Sequence, residues 1–404
     1  MQGPLPKACL VRSFASPSGA RRLRVLHAFK IYYPEVYGGI PYAIEQAMQV
    51  RPDLFDHQLL VCSTDPDASD NRMEGVTRVR SFGNLFSLPI APTYPLRLWQ
   101  RMRDADIVIL HAPFPLADLV LGLGLRPDVP VIVHWHSDIV SQKFFGRVLR
   151  PLLMATLRRA RRILLSDERI LHRRELADAF GEKLTAVPYA VDLRRFELSE
   201  DEKQQVEALQ ARYPRLVIAV GRLVKYKGFD VLIAAARSID ASILIVGEGV
   251  ERADLQAAID TAGLGARVSL VGSLSERELV VHLHAATLYA LPSISNAETF
   301  GIVQLEAMAA GLPVVNTALE TAVPLVARDG IEAITVRPGD APALAGAINR
   351  LLDDRQLRAA YSSAALQRAA AFSTTVYADV VAKAILDSVG TPPQALNSTT
   401  IQHS

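Results

Sequence analysis

Short apolar runs alternate with helical patterns along this chain, from Leu23 to a last helical segment, Thr374 to Val389. Strands separated by helices are typical of parallel, doubly wound sheets whose two faces are covered by helices. The alternation occurs twice, because a charged stretch from Asp192 to Tyr213 separates two series of predicted strands. These are residues 24–29, 58–62, 77–79, 107–111, 131–136, 163–166 and 184–187, then residues 216–221, 242–246, 268–271, 288–291, 313–316 and 333–336.

The length of 404 residues suits two domains rather than one core. We predict a first Rossmann-like domain at residues 22–200 and a second at 201–373, with a helix at 374–390 that crosses back onto the first. Residues 1–21 and 391–404 are predicted to be a loose extension and a tail. Two such domains face each other across a cleft at the carboxyl ends of their strands.

Composition removes several classes of function. A net charge of +2 does not indicate a polyanionic partner, and we predict no nucleic-acid binding. Cys9 and Cys62 form neither a disulfide framework nor a metal-ligand pattern, which favours a reducing compartment. No apolar run reaches the roughly 18 residues of a membrane span, and the first residues lack the apolar core of a signal peptide.

The stretch from Glu298 to Glu306 combines two carboxylates, separated by seven residues, with Phe300 and Gly301. It follows a predicted strand and leads into an Ala-rich helix, so the first acid lies at the sheet edge where ligands bind. A helix start beside a glycine suits an anionic ligand, and the second acid can accept hydrogen bonds from ribose hydroxyls. A solvated helix start, with acids favoured by the helix dipole, is the simpler alternative.

Basic side chains follow the first strand of the second series, where Gly221 precedes Arg222 and Lys227. Arginine binds two phosphate oxygens in a fork, and lysine adds a point charge. A solvated basic loop would explain either residue alone. Because Glu298 is predicted at the same sheet edge, the two together indicate a diphosphate site.

The first domain contributes two weaker candidates. Gly38 and Gly39 follow its first strand and let backbone N–H groups approach an anion, although an ordinary turn would also use them. His134 and His136 end another strand and point to the same side. An imidazole there could bond a substrate hydroxyl, or it could be a core histidine bonded to the backbone.

We predict no metal site. The histidine pair has no third and fourth ligands at a suitable spacing. The acid-x-acid pairs at residues 65–67 and 104–106 could hold a divalent cation, but such pairs are common by chance. Arg222 and Lys227 can neutralise a diphosphate without metal.

Residues 142–165 carry seven basic side chains and no acid, interspersed with apolar ones. This composition suits a helix that lies on an anionic membrane surface. It equally suits a helix that packs an apolar face on the core and turns arginines to solvent, and both readings stay open. The basic residues are Lys143, Arg147, Arg150, Arg158, Arg159, Arg161 and Arg162.

The Gly38-Gly39 loop, the pair Arg222 and Lys227, and the stretch from Glu298 to Glu306 together resemble the retaining glycosyltransferases of family 4. The fold of that family is the two-domain GT-B type, and the resemblance covers nearly the whole chain. The opening from Lys30 to Gly39 and the segment from His134 to Asp138 look like those of mannosyl- and rhamnosyltransferases that build bacterial O-antigen and exopolysaccharide.

The resemblance implies a role for each matching residue. His136 would lie near the anomeric carbon, and Glu298 would bond hydroxyls of the transferred sugar. Arg222 and Lys227 would hold the diphosphate, so these four form the predicted catalytic set. The predicted donor-binding residues are Gly38, Gly39, Arg222, Lys227, Phe300, Gly301, Ile302 and Glu306, with Glu306 on the ribose and backbone N–H groups of residues 300–302 near the phosphate or sugar.

The resemblance further implies a metal-independent, retaining transfer of a hexose from a nucleoside diphosphate sugar, with no cofactor. GDP-mannose or a GDP-deoxyhexose is the first expectation and a UDP-hexose the second. The acceptor would be a glycan or polyprenyl-linked hydroxyl in bacterial surface polysaccharide synthesis. The protein would be cytoplasmic, and peripheral on the inner membrane if residues 143–162 contact anionic lipid.

Three other functions are alternatives to glycosyl transfer. A nucleotide-sugar epimerase of the same fold would need an acid and a base around the sugar ring, for which only histidines and Glu298 are available. A nicotinamide oxidoreductase would need the Gly-x-Gly-x-x-Gly fingerprint, which is missing. A non-catalytic binding protein would leave Glu298, Arg222 and Lys227 without a role.

Overall fold

The computed structural model describes residues 21–36, 39–67, 74–85, 88–126, 128–136, 143–166, 169 and 174–390. Gly38, the tail at 391–404 and the extension up to residue 20 lie outside this description.

The first domain is a parallel sheet of seven strands with helices on both faces. Its strands are β1 (Leu23–Ala28), β2 (Phe55–Ser63), β3 (Val76–Arg80), β6 (Ile107–Ala112), β7 (Val131–Trp135), β8 (Arg162–Leu165) and β9 (Leu184–Ala186), with a two-stranded ribbon of β4 (Asn84–Leu85) and β5 (Leu88–Pro89) between β3 and β6. The order across the sheet is β3-β2-β1-β6-β7-β8-β9. The helices are α1 (Gly39–Met48), α2 (Tyr94–Arg101), α3 (Pro115–Gly122), α4 (Lys143–Arg159) and α5 (Arg174–Phe180).

The second domain repeats this architecture with six parallel strands. They are β10 (Leu216–Val220), β11 (Ser242–Val246), β12 (Val268–Gly272), β13 (Leu288–Ala290), β14 (Val314–Thr317) and β15 (Ala333–Val336), in the order β12-β11-β10-β13-β14-β15. The helices are α6 (Glu200–Arg212), α7 (Phe229–Ala235), α8 (Arg252–Thr261), α9 (Glu276–Ala285), α10 (Ile302–Ala309), α11 (Val323–Val326), α12 (Ala341–Asp353), α13 (Arg355–Ala371) and α14 (Thr374–Val389). The predicted fold class, two doubly wound parallel α/β domains, is confirmed.

The strands form because continuous apolar runs can be buried on both faces of a parallel sheet. All five residues of β10 are buried, and so are all five of β7. Helix starts carry local signals as well. Ser199 and Glu202 form a capping box at α6, as Ser275 and Glu278 do at α9, and each box satisfies backbone N–H groups that a helix start leaves without partners.

The chain passes between the domains at two adjacent points. Val191 N donates to Phe372 O at 2.8 Å, and Thr374 N donates to Val191 O at 3.2 Å. After this crossing, α14 packs Tyr377 and Val381 into the same core as Val25 of the first sheet. The last helix therefore covers a face of the first domain.

The start of strand β2 differs from its predicted position. Strand β2 begins at Phe55, three residues before the predicted start at residue 58. Asp56 and His57 interrupt the apolar pattern, but His57 pairs in register with Val25 of β1. Pairing with the neighbouring strand extends β2 through polar residues, which an apolar run alone does not predict.

Candidate functional site

Each sheet reverses its strand order at one place, between β1 and β6 in the first domain and between β10 and β13 in the second. In doubly wound sheets, ligands bind in the crevice outside the carboxyl ends of strands at such a reversal. Arg222 and Lys227 follow β10, and Glu298 follows β13. The predicted diphosphate and sugar residues therefore flank the reversal in the second sheet.

Lys227 and Glu298 are in direct contact. Lys227 Nζ lies 2.5 Å from Glu298 Oε2, and each side chain is only 10% exposed. Ser293 Oγ donates a hydrogen bond to the same carboxylate oxygen at 3.1 Å. A Cβ at Gly221 would lie 3.3 Å from the ammonium nitrogen, so the glycine leaves room for the lysine to cross the strand end.

Gly228 holds the basic loop against the loop that leads to Glu298. Its φ of 68° lies in the left-handed region, and a Cβ there would come within 2.1 Å of Pro292 O. Only glycine combines this conformation with so close a backbone approach. Arg222, on the same basic loop, is exposed, with its guanidinium Nη2 3.4 Å from Tyr226 Oη.

The start of α10 faces the first domain. Gly301 precedes the helix with a φ of 70°, and a Cβ at Gly39, the first residue of α1, would lie 2.9 Å from Ile302 Cδ1. The structure thus brings together three of the predicted donor-binding residues, Gly39, Gly301 and Ile302. Gly38 lies outside the described residues. The Phe300 ring is buried edge-on against Tyr189, with centroids 4.9 Å apart, so only its backbone is suited to contact a ligand.

Glu306 belongs to a charged cluster that joins both domains. Arg195 Nη1 lies 3.7 Å from Glu306 Oε1 and donates to Tyr42 Oη at 3.1 Å, while its Nε pairs with Glu276. Burial raises the pKa of the Glu306 carboxyl, the Arg195 charge opposes that shift, and the Glu276 charge adds to it. Burial and the Glu306 charge raise the pKa of Tyr42 to about 12.

His136 is buried, and both of its ring nitrogens have partners. Its Nε2 lies 2.8 Å from His111 Nδ1, and its Nδ1 lies 2.9 Å from Tyr189 Oη. His134 lies beside it, with ring centroids 4.1 Å apart, and contacts Ser166 Oγ at 3.2 Å. His136 can bond a substrate hydroxyl only by giving up one of these contacts, and its catalytic role stays a prediction.

The fold supplies a third imidazole that sequence spacing did not. Ring nitrogens of His111, His134 and His136 all lie within 4.8 Å of one another, which makes them a candidate metal-binding group. The His111 and His136 nitrogens are bonded to each other, however, and burial lowers the pKa of His134 to about 3 and that of His136 well below its usual value. Neutral rings that are hydrogen-bonded to each other account for the cluster as it stands.

The acid-x-acid pair at residues 104–106 has a structural contact, since Asp106 accepts a hydrogen bond from Arg24 N at 2.7 Å.

Sequence reasoning did not identify the following as site residues: Tyr42, Arg195, Tyr189, His27, His57 and His111. Arg195 had a usable signal, because it lies three residues after Asp192, at the predicted hinge. Tyr42 and Tyr189 had none, because single tyrosines in apolar surroundings look like core residues.

Among the described helices, none is long and apolar enough to cross a membrane.

Two family models match the chain. The model described as Glycosyltransferase Family 4 matches residues 38–195, and the one described as Glycosyl transferases group 1 matches residues 200–368. Among solved structures, Anabaena Alr3699/HepE in complex with UDP superposes with a TM-score of 0.75 at 20% identity, covering 90% of this chain and 100% of that one. This likeness shows the fold.

Three curated relatives are similar over most of their length. The O-antigen chain mannosyltransferase C of Escherichia coli is 27% identical, with 86% of this chain and 93% of the relative covered. The D-rhamnosyltransferase WbpZ of Pseudomonas aeruginosa is 29% identical, with 83% and 88% covered. The phosphatidyl-myo-inositol mannosyltransferase of Mycobacterium leprae is 30% identical, with 76% and 81% covered.

Proposed function

We propose, from the premise that this chain belongs to the glycosyltransferases of family 4, that it moves a hexose from a nucleoside diphosphate sugar to a hydroxyl with retention of configuration and without a metal ion. The observation that carries the proposal is the contact between Lys227 and Glu298 at the strand-order reversal of the second sheet. In the proposed roles, the cation for the diphosphate lies beside the hydrogen-bond acceptor for sugar hydroxyls.

Departure of the diphosphate is the costly step, because negative charge accumulates on its oxygens. Lys227 and Arg222 would stabilise that charge, together with the helix start behind Gly301. Two cations at one sheet edge can do this without a divalent ion. Lys227 contacts Glu298, and a bound donor would draw the ammonium toward the phosphates while Glu298 turns to the sugar.

The transfer itself forms one bond and breaks one. The acceptor oxygen bonds to the anomeric carbon on the face from which the phosphate leaves, and the carbon–oxygen bond to the diphosphate breaks. The hydroxyl proton passes to the departing phosphate oxygen. We assign no carboxylate as a covalent nucleophile, because the proposed role of Glu298, which accepts a hydrogen bond from Ser293 Oγ, is to bind sugar hydroxyls.

The ribose would lie against Glu306. This carboxylate lies about one turn into α10 and is 13% exposed, so it has room to accept hydrogen bonds from hydroxyls. The Arg195 charge opposes the rise that burial causes in the pKa of this carboxyl. Tyr42, from the first domain, also contacts Arg195, so nucleotide binding at this carboxylate would be coupled to the relative position of the two domains.

The names of the relatives support a proposal for the sugar and acceptor classes. Two of them are named as a mannosyl- and a rhamnosyltransferase, the first acting on the O-antigen chain. We therefore place GDP-mannose or a GDP-deoxyhexose first as donor, with a UDP-hexose second. The acceptor would be a glycan or polyprenyl-linked hydroxyl in surface polysaccharide synthesis.

Among the side chains that the structure describes, the end of the basic segment offers a membrane contact for such an acceptor; the side chains of Lys143 and Arg147 lie outside that description. Leu153 and Leu157 of α4 are buried, and the Arg159 guanidinium donates to Leu121 O at 3.0 Å. Arg158 and Arg161 remain exposed. The nearby end of α3 adds exposed apolar side chains, with Leu123 61% exposed. We place the lipid contact on this surface, Arg158 and Arg161 with the end of α3.

The test is a transfer assay with defined stereochemistry. The protein is incubated with each α- or β-linked nucleotide sugar and a lipid-linked acceptor extract, and the anomeric configuration of the new linkage is read by NMR. We expect one donor to react, with its configuration kept and with the same rate in EDTA. An inverted product, or a rate abolished by EDTA and restored by Mg²⁺, would contradict the mechanism.

A further inference from the structure

Four histidines form one continuous hydrogen-bonded chain across the first sheet. Three of them lie in the adjacent strands β2, β1 and β6. The fourth comes directly after β7, the next strand across the sheet. The chain begins at a backbone carbonyl and ends at a tyrosine hydroxyl beside Phe300. In order, its members are Val50 O, His57, His27, His111, His136 and Tyr189 Oη, with successive contacts of 2.7, 2.9, 2.9, 2.8 and 2.9 Å.

The carbonyl at the beginning determines where the first hydrogen lies. Val50 O can only accept, so His57 Nε2 must carry a hydrogen. A neutral imidazole has one N–H, so His57 Nδ1 is an acceptor. His27 Nε2, which contacts it, must then be the donor.

The same reasoning passes along the chain. His27 Nδ1 is left as an acceptor, so His111 Nε2 carries the next hydrogen, and His136 Nε2 carries the one after that. His136 Nδ1 remains, as an acceptor facing Tyr189. Burial lowers the pKa of all four imidazoles, which agrees with four neutral rings.

We propose that His57 is a positioning residue which, through His27 and His111, holds His136 as the Nε2–H tautomer and leaves its Nδ1 as a hydrogen-bond acceptor on the side of the cleft. Tyr189 Oη is then the donor of the last bond. A substrate hydroxyl that replaces Tyr189 can donate to His136 and cannot accept from it. This kinetic consequence rests on the proposed glycosyl transfer, whereas the tautomer assignment does not.

A metal held by the same rings is the main rival. Tetrahedral zinc bound through imidazoles keeps its nitrogens roughly 3.3 Å apart. His111 Nδ1 and His136 Nε2 are 2.8 Å apart, which is a hydrogen bond. Zinc would require these rings to separate and His136 to lose its hydrogen at Nε2.

The direct test is a long-range ¹H–¹⁵N spectrum of the full chain labelled with ¹⁵N-histidine, without ligand. Single-histidine variants assign the signals. We expect His57, His27, His111 and His136 each to show a protonated Nε2 and an unprotonated Nδ1, unchanged by EDTA. A His136 signal from the Nδ1–H tautomer or an imidazolium, or a spectrum that changes on chelation or zinc addition, would overturn the proposal.

Two substitutions at the far end separate positioning from packing. His57→Leu removes the acceptor for His27 and should give His136 a mixture of tautomers. His57→Asn places an amide oxygen near the position of Nδ1 and should keep the wild-type tautomer. His282→Leu, in α9 of the second domain, is the matched control.

The rate should follow the tautomer. We expect kcat in His57→Leu to fall in proportion to the fraction of His136 that loses the Nε2–H tautomer, about twofold for an equal mixture, with little change in donor KM. His57→Asn should recover most of the rate. A His136 tautomer unchanged in a folded His57→Leu protein would refute the positioning role whether or not the protein transfers sugar.

Discussion

Lys227 Nζ and Glu298 Oε2 are 2.5 Å apart, and the two residues follow neighbouring strands at the strand-order reversal of the second sheet. The pair is nearly buried, so each charge depends on the other for compensation. A buried ion pair contributes little net stability compared with an apolar pair of the same shape. Net stability therefore does not explain the pair, which agrees with a functional reason for both charges.

Removing one member of this pair should be more harmful to stability than removing both. Lys227→Met leaves Glu298 buried without a counter-charge and should cost about 3–5 kcal/mol of unfolding free energy. Lys227→Met combined with Glu298→Gln should recover most of that loss. Urea unfolding of the wild type and of these two variants measures it.

Transfer activity should not recover in the double variant. Neither the cation for the diphosphate nor the carboxylate for the sugar is present, so activity should stay at background although the protein regains most of its stability. A double variant with substantial activity would show that the pair has only a structural role.

Arg195 should control the pH at which nucleotide binding is lost. Burial raises the pKa of Glu306, so the carboxylate is neutralised at a higher pH than usual, and nucleotide affinity should fall as the pH drops through that raised pKa. Arg195→Met removes the charge that opposes the shift, so the loss should begin at a higher pH. Calorimetric titration across a pH series measures both curves.

Arg194→Met is the control for this experiment. Arg194 is the adjacent residue, is exposed and pairs with Asp192. Its removal should leave the pH curve of nucleotide binding in place. Coinciding curves for Arg195→Met and the wild type would mean that Glu306 does not bind the nucleotide.

Gly228→Ala should damage both stability and donor binding. The new methyl group would meet Pro292 O, and the left-handed φ adds about 1–2 kcal/mol. We expect a total loss of more than about 3 kcal/mol. Gly330→Ala is the matched control, because its φ of 75° is similar and nothing lies within 4 Å of the new Cβ. Equal losses in urea unfolding would argue against a packed contact between the two loops.

The lipid contact proposed for the Arg158 surface should depend on exposed charges only. Arg158→Glu with Arg161→Glu should reduce flotation with vesicles that contain anionic lipid, because each basic residue near such a surface contributes about 1 kcal/mol. Arg237→Glu with Arg337→Glu makes the same charge change on exposed residues of the second domain and should float normally. Unchanged flotation of the first variant would remove the proposed contact.

Most of the fold could be predicted from the sequence, because a strand that is buried on both faces of a parallel sheet consists of a continuous apolar run. The runs at β7 and β10 are buried on both faces, and their signal is purely local. Predicted and observed strands differ where pairing, and not apolarity, sets the boundary. The start of β2 at Phe55 depends on register with β1, which is not visible within the segment itself.

The second-domain half of the candidate site was predictable for a related reason. Lys227 and Glu298 come directly after strands, and strand ends meet at one edge of a parallel sheet. The histidine chain was not predictable, because His27, His57 and His111 each sit in a separate strand and look like single core histidines. Only the order of strands across the sheet places them next to one another. Arg195 was missed because its partners, Tyr42 and Glu306, come from different domains.

The most direct test of the central claim is a thermal-shift panel of GDP, UDP, ADP and their sugars, with and without EDTA. A ligand that binds only the folded protein must raise the Tm by mass action. We predict a shift with one nucleotide and its sugar, unaffected by EDTA and lost in Glu306→Ala and in Arg222→Ala. If a folded sample shows no shift with any nucleotide, the proposed donor site between β10 and β13 is wrong.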